Sequence, residues 1–92
     1  MKSKEQLYDA AILRWGIPSQ LKMLAEECCE LAVVVLKQGR EFNGAGRNEL
    51  AEEIADVELC IEQVMHCLKL NELVADWKEK KLRRFAYLLG EE

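Results

Sequence analysis

Ninety-two residues at 10.6 kDa give room for one domain, spanning 1–92, and none for a separate cofactor-binding module. With 50% hydrophobic and 33% charged residues, five glycines and one proline, the composition excludes a disordered, fibrous or low-complexity chain. Seventeen acids against thirteen bases leave a net charge of −4, so neither a nucleic acid polymer nor an anionic membrane surface is an expected partner.

No stretch alternates apolar and polar residues long enough to make a strand, and the expected fold is all-α, a small four-helix module. A first helix is predicted from about Lys4 to Trp15, broken by Gly16-Ile17-Pro18. Ser19 is the predicted N-cap of a second helix that ends near Gly39, where a left-handed residue is wanted. Arg40 to Arg47 holds too much glycine for a helix and reads as a loop; without a GK[ST] ending it is no P-loop. Asn48 is expected to cap a third helix reaching about Leu70, and Asn71 a fourth reaching about Leu89 before Gly90.

On the third helix Leu50, Ile54, Val57, Ile61, Val64 and Leu68 form one core-facing stripe. The second helix is apolar nearly all round: Leu21, Leu24, Cys28, Leu31 and Val35 lie along one side, Met23, Val33 and Val34 along the other. Three other short helices do not cover both sides, which predicts a homo-oligomer. The longest apolar run, Leu31 to Leu36, is far below the roughly 20 residues of a membrane span. Met1 to Gln6 leads into no signal-peptide core, and Cys28, Cys29, Cys60 and Cys67 fall inside helices, Cys28 next to Cys29. Reduced, mostly buried thiols in a cytoplasmic protein are the expectation.

Against this apolar background two groups of acids stand out. At about 100° per residue Glu26, Glu27 and Glu30 share one arc of the second helix, where their like charges repel. Glu49, Glu52, Glu53 and Asp56 share an arc of the third, where Glu53 borders the apolar stripe. One reading is a solvated acidic face. The other is a site for a hard divalent cation, which wants oxygen ligands, net negative charge and rigid supports.

Glu26-Glu27-Cys28-Cys29-Glu30, followed by Glu53-Ile54-Ala55-Asp56 across a glycine-containing loop, resembles the EExxE…ExxD pattern of the MazG-like all-α nucleoside triphosphate pyrophosphohydrolases. Lys80-Lys81-Leu82-Arg83-Arg84-Phe85 is similar to the basic segment of the same family. The resemblance implies that Glu27, Glu30, Glu53 and Asp56 ligate Mg²⁺, with Mn²⁺ as a substitute, and that Glu26 orients or deprotonates the attacking water. It also implies that Lys80, Arg83 and Arg84 contact the triphosphate, in a homodimer or dimer of dimers with the site near the subunit interface. Cys28 and Cys29 depart from the pattern and are expected to face away from the acids. Outside the pattern, Gln20 and Trp15 precede the acidic helix and are candidates to meet a base or ribose; Trp15, like Trp77, also reads as core.

The implied activity is Mg²⁺-dependent cleavage of a nucleoside triphosphate to the monophosphate and pyrophosphate by water attack at the α-phosphorus. The competing readings are a non-catalytic helical homo-oligomeric interaction module and a nucleotide-binding sensor. His66, the single histidine, cannot supply the two Glu-x-x-His motifs of a di-iron bundle and reads as a packing residue.

Overall fold

The computed structural model describes residues 1–38 and 44–91. Four helices and no strand are found among them: α1 (Lys4–Trp15), α2 (Ile17–Gln38), α3 (Gly44–Cys67) and α4 (Asn71–Leu88). The predicted loop from Arg40 to Arg47 falls partly on residues 39–43, which lie outside the described residues, as does the expected helix end at Gly39.

The start of α1 is fixed by a capping box, in which the Gln6 backbone N–H donates to Ser3 Oγ at 3.1 Å and the Ser3 N–H donates to Gln6 Oε1 at 2.9 Å. Gly16, at φ 84°, turns the chain straight into α2. Ser19 is therefore no N-cap: Pro18 is accommodated in the first turn, where its missing N–H costs nothing, and the helix begins three residues earlier than predicted. Asn48 likewise lies inside α3, which starts at Gly44, because the two glycines fall in a first turn that the long helix behind them carries.

At the other end α3 stops at Cys67 instead of Leu70. Lys69 takes the left-handed conformation (φ 55°), its N–H donates to His66 O, and the Leu70 N–H donates to Met65 O at 2.8 Å, the two bonds of a Schellman closure. The chain re-enters a helix at once, so Asn71 is the first residue of α4 and not its cap. Gly90 (φ 74°) and Glu91 close α4 in the same way, on Tyr87 O and Ala86 O.

The α2–α3 hairpin is the body of the fold, and α1 lies across it. Tyr8 is buried, His66 Nε2 meets Asp9 Oδ1 at 2.8 Å, and Lys4 Nζ meets Glu62 at 2.6 Å. Lys37 and Glu49, 3.8 Å apart, join the last turn of α2 to the beginning of α3. The face that α2 buries runs Gln20, Leu24, Glu27, Leu31, Val34, offset by about one residue from the predicted stripe. A helix apolar on opposite sides does not choose its own buried face, and here Leu21, Cys28 and Val35 are left exposed. On α3 Val57 is buried as expected, yet Ile54 and Ile61 remain about 40% exposed because the helix turns Glu53 and Cys60 inward, and Leu68 lies just past the end of the helix.

Cys28 and Cys29 are exposed and Cys60 and Cys67 half-buried, so the expectation of mostly buried thiols fails for the adjacent pair; all four are unpaired. Trp15 and Trp77 are over half exposed instead of core, each under a cation, Arg14 at 5.3 Å and Lys80 at 4.9 Å from the ring centroids. α4 buries no side chain, and no helix among the described residues packs along it. None of the described helices is long and apolar enough to cross a membrane.

Candidate metal centre between α2 and α3

Positions 27 and 30 are one turn apart on α2, and position 53 faces them from the neighbouring helix. Packing the hairpin therefore brings three carboxylates together. One oxygen from each of Glu27, Glu30 and Glu53 lies within 4.8 Å of the other two. Glu27 and Glu53 are half-buried, and a second-helix and a third-helix oxygen, Glu27 Oε2 and Glu53 Oε2, are buried without any hydrogen-bond partner. Such oxygens lose water and gain nothing from the protein in exchange.

The electrostatics follow from that geometry. Burial raises the Glu27 carboxyl above its ordinary value, and the charges of Glu30 and Asp56 push it further. Glu53 is raised for the same reasons, burial first, then Glu30 and Asp56, with Glu52 and Glu49 adding smaller effects. No cation among the described residues forms an ion pair with Glu27, Glu30 or Glu53. Several carboxylates converging on one point, with buried unpaired oxygens and no cation between them, fit a hard divalent ion better than any other ligand class.

Of the four ligands implied by the resemblance, Glu27, Glu30 and Glu53 are brought together. Asp56 lies one turn further along α3, close enough for its charge to act on both buried carboxyls, but it is not one of the convergent group. Glu26 is exposed on α2 beside Glu27 and outside that group.

An open groove of about 320 Å³ adjoins the carboxylates, lined by Cys29, Glu30, Val33, Val34 and Glu53. Cys29 thus faces the site, contrary to expectation, and Val33 and Val34 supply apolar walls that the acid pattern alone does not reveal. The signal available was the i, i+4 step from Cys29 to Val33 on the side flanking Glu30.

The remaining predicted residues lie elsewhere. Gln20 is buried, its Oε1 accepts from Gln63 Nε2, which ties α2 to α3, and it does not line the carboxylate groove. Trp15 stands at the end of α1 under Arg14. Lys80, Arg83 and Arg84 belong to α4, and no residue of α4 lines the carboxylate groove within the chain. Arg83 is drawn to Glu79 at 2.6 Å on the acidic side of its own helix. Burial also raises the Cys60 thiol, with Glu27 and Asp56 adding to the effect, so that it is a poor thiolate nucleophile. No protein-family model, curated protein or solved structure matches the chain.

Proposed function

We propose that the chain is a Mg²⁺-dependent nucleoside triphosphate pyrophosphohydrolase of the MazG-like all-α type, working in the cytoplasm as a homo-oligomer. The observation that carries this reading is the convergence of Glu27, Glu30 and Glu53 at the α2–α3 interface, with two of their oxygens buried and unpartnered. Bare, that arrangement is repulsive; filled by a divalent ion, it is satisfied.

In this reading Glu27, Glu30 and Glu53 hold the ion, with Asp56 adding negative charge one turn away. The bound ion supplies neutralisation of charge on the phosphate oxygens. Glu26, exposed beside the ligands, orients a water and accepts its proton. The groove beside Glu30 and Glu53, walled by Val33 and Val34, takes the apolar face of the nucleoside. Basic side chains of α4 bind the phosphate chain, and Arg84 is favoured over Arg83, which Glu79 already engages.

The test is Mg²⁺-dependent release of pyrophosphate from a panel of common and modified nucleoside triphosphates. Glu27→Gln, Glu30→Gln, Glu53→Gln and Asp56→Asn are expected to abolish turnover, whereas Glu52→Gln retains it. Full activity in any of the first four removes that residue from the ligand set. The exposed apolar surface of α2 and α4 favours one other reading, a non-catalytic homo-oligomeric interaction module, for which no triphosphate in the panel would be cleaved. Nucleotide binding without cleavage would instead assign the chain a sensing role.

A further inference from the structure

α2 packs against α3 with a face that is not its most apolar one. Turned inward are Gln20, Leu24, Glu27, Leu31 and Val34, whereas a rotation of about 60° would offer Leu21, Leu24, Cys28, Leu31 and Val35, all apolar. Apolar area alone favours the second face. It would remove Leu21 and Val35 from water, where they stand 43% and 45% exposed, and would leave Gln20 and Glu27 hydrated. A contact made only by the first face must therefore select it.

Gln20 makes that contact. It is the one buried polar side chain among the described residues, at 5% exposure, and its Oε1 accepts from Gln63 Nε2 of α3. The bond exists only with Gln20 turned inward; on the other face Gln63, itself half-buried, would lose this partner. A buried polar pair of this kind fixes how two helices meet, as a single core Asn does in a coiled coil. Its place along the hairpin matters as much. Gln20 lies seven residues, about two turns, before Glu27, so turning the amide inward turns Glu27 inward with it. Gln20 is also ten residues before Glu30, and Gln63 ten residues after Glu53. In an antiparallel hairpin the level that joins the amides, about 15 Å from the carboxylates, therefore sets Glu30 opposite Glu53. Lys37 and Glu49, beyond the carboxylates, are both exposed, and an exposed ion pair constrains the packing little.

We propose that the Gln20–Gln63 amide pair is a positioning device: it selects the face and the level at which α2 meets α3, and so presents Glu27 and Glu30 to Glu53. Gln20 and Gln63 are then positioning residues that never touch the ion. The consequence for the ion rests on the proposed function; the choice of face does not. A pair that only stabilised the hairpin would be replaceable by any well-packed apolar pair, with the carboxylate site left intact.

Methionine is close to glutamine in length and lacks the amide, so Gln20→Met, Gln63→Met and the double variant separate the two roles. Each single variant leaves one amide unpaired and should melt several degrees below wild type. The double variant leaves none unpaired and should regain the wild-type melting temperature or exceed it. Mn²⁺ alone, titrated by the loss of its free paramagnetic resonance signal, reads the site. Its affinity should fall in both single variants and stay about tenfold below wild type in the double variant, the loss expected when about a tenth of the chains present the binding face. A double variant that binds Mn²⁺ as tightly as wild type would overturn the positioning role. A double variant less stable than both single variants would show that the two amides are not coupled, and would overturn it as well. Methyl nuclear Overhauser effects read the face without metal: contacts from Val34 to α3 should weaken in the double variant while Val35 gains them, and an unchanged pattern would overturn the choice of face. A wild type with no affinity for Mn²⁺ overturns the proposed function instead, and the methyl contacts still decide which face the amides select.

Discussion

Glu27 and Glu53 face each other with carboxyls raised by burial and by their neighbours' charge, and that couples the site to pH. A carboxyl raised in the folded state binds its proton more tightly there than in the unfolded chain. Its ionised form therefore costs stability above the folded pKa, and the cost is relieved as the pH falls toward the ordinary Glu value of 4.5. The metal-free protein is expected to melt at a higher temperature near pH 5 than near pH 7. Glu27→Gln and Glu53→Gln should each raise the pH 7 melting temperature without metal and flatten that dependence, and saturating Mg²⁺ should flatten it for the wild type. Melting curves in chelator across this range test the point; a Glu27→Gln protein less stable than wild type at pH 7 without metal would contradict the repulsion argument. Lys69 offers a separate check on local conformation. It holds a left-handed φ with no glycine to ease it, so Lys69→Gly should stabilise the fold by about 0.5–1 kcal/mol, a few degrees in melting temperature. An unchanged or lowered melting temperature would mean that Lys69 is not strained there.

Among the helices, those whose ends carry strong local chemistry were legible in the sequence. α1 has the predicted bounds and α4 ends within a residue of them, before a glycine that takes a positive φ. The starts of α2 and α3 were misplaced because Pro18 and Gly44 to Gly46 look like breakers but sit in first turns, where their cost is small. The approach of Glu27, Glu30 and Glu53 was readable from spacing, since both sets of acids recur one turn apart. The side of α2 that packs inward was not, because Leu21 and Val34 lie on different faces and either could be covered. Nor does spacing along one chain show that Lys80, Arg83 and Arg84 lie apart from the acids, since that depends on the turn at Lys69. The attachment of α1 allows a prediction at this scale. Tyr8 is the one buried hydrophobic side chain of α1, whereas the Lys4–Glu62 pair beside it is exposed. Tyr8→Ala should cost about 3 kcal/mol, as large-to-small core changes do, and Lys4→Ala far less, as exposed ion pairs do. Denaturant titration of both variants separates packing from charge as the force that holds α1; equal losses would assign the attachment to the ion pair.

For the molecule as a whole, size and surface conflict with a self-sufficient monomer. The Cα radius of gyration is 16.3 Å, against about 12.3 Å for a compact chain of this length. No side chain among the described residues is fully buried, and the hydrophobic core consists of Tyr8, Val34 and Val57. A core that small falls short of the roughly 5 kcal/mol at the lower end of domain stability, and in the homo-oligomer proposed above the remainder comes from apolar surface covered between chains. Folding and association are then one reaction, and stability follows the law of mass action. Each tenfold rise in protein concentration contributes about 1.4 kcal/mol per dimer, which for two chains of this length moves the melting temperature by roughly 3–6 °C. Scanning calorimetry across a hundred-fold concentration range should therefore show the transition climb steadily, and the dependence should disappear in the α4 variant Phe85→Glu/Leu88→Glu, which should also melt lower. A transition that stays fixed over that range would mean that α1, α2 and α3 fold without help and that the exposed face of α4 contributes nothing to stability.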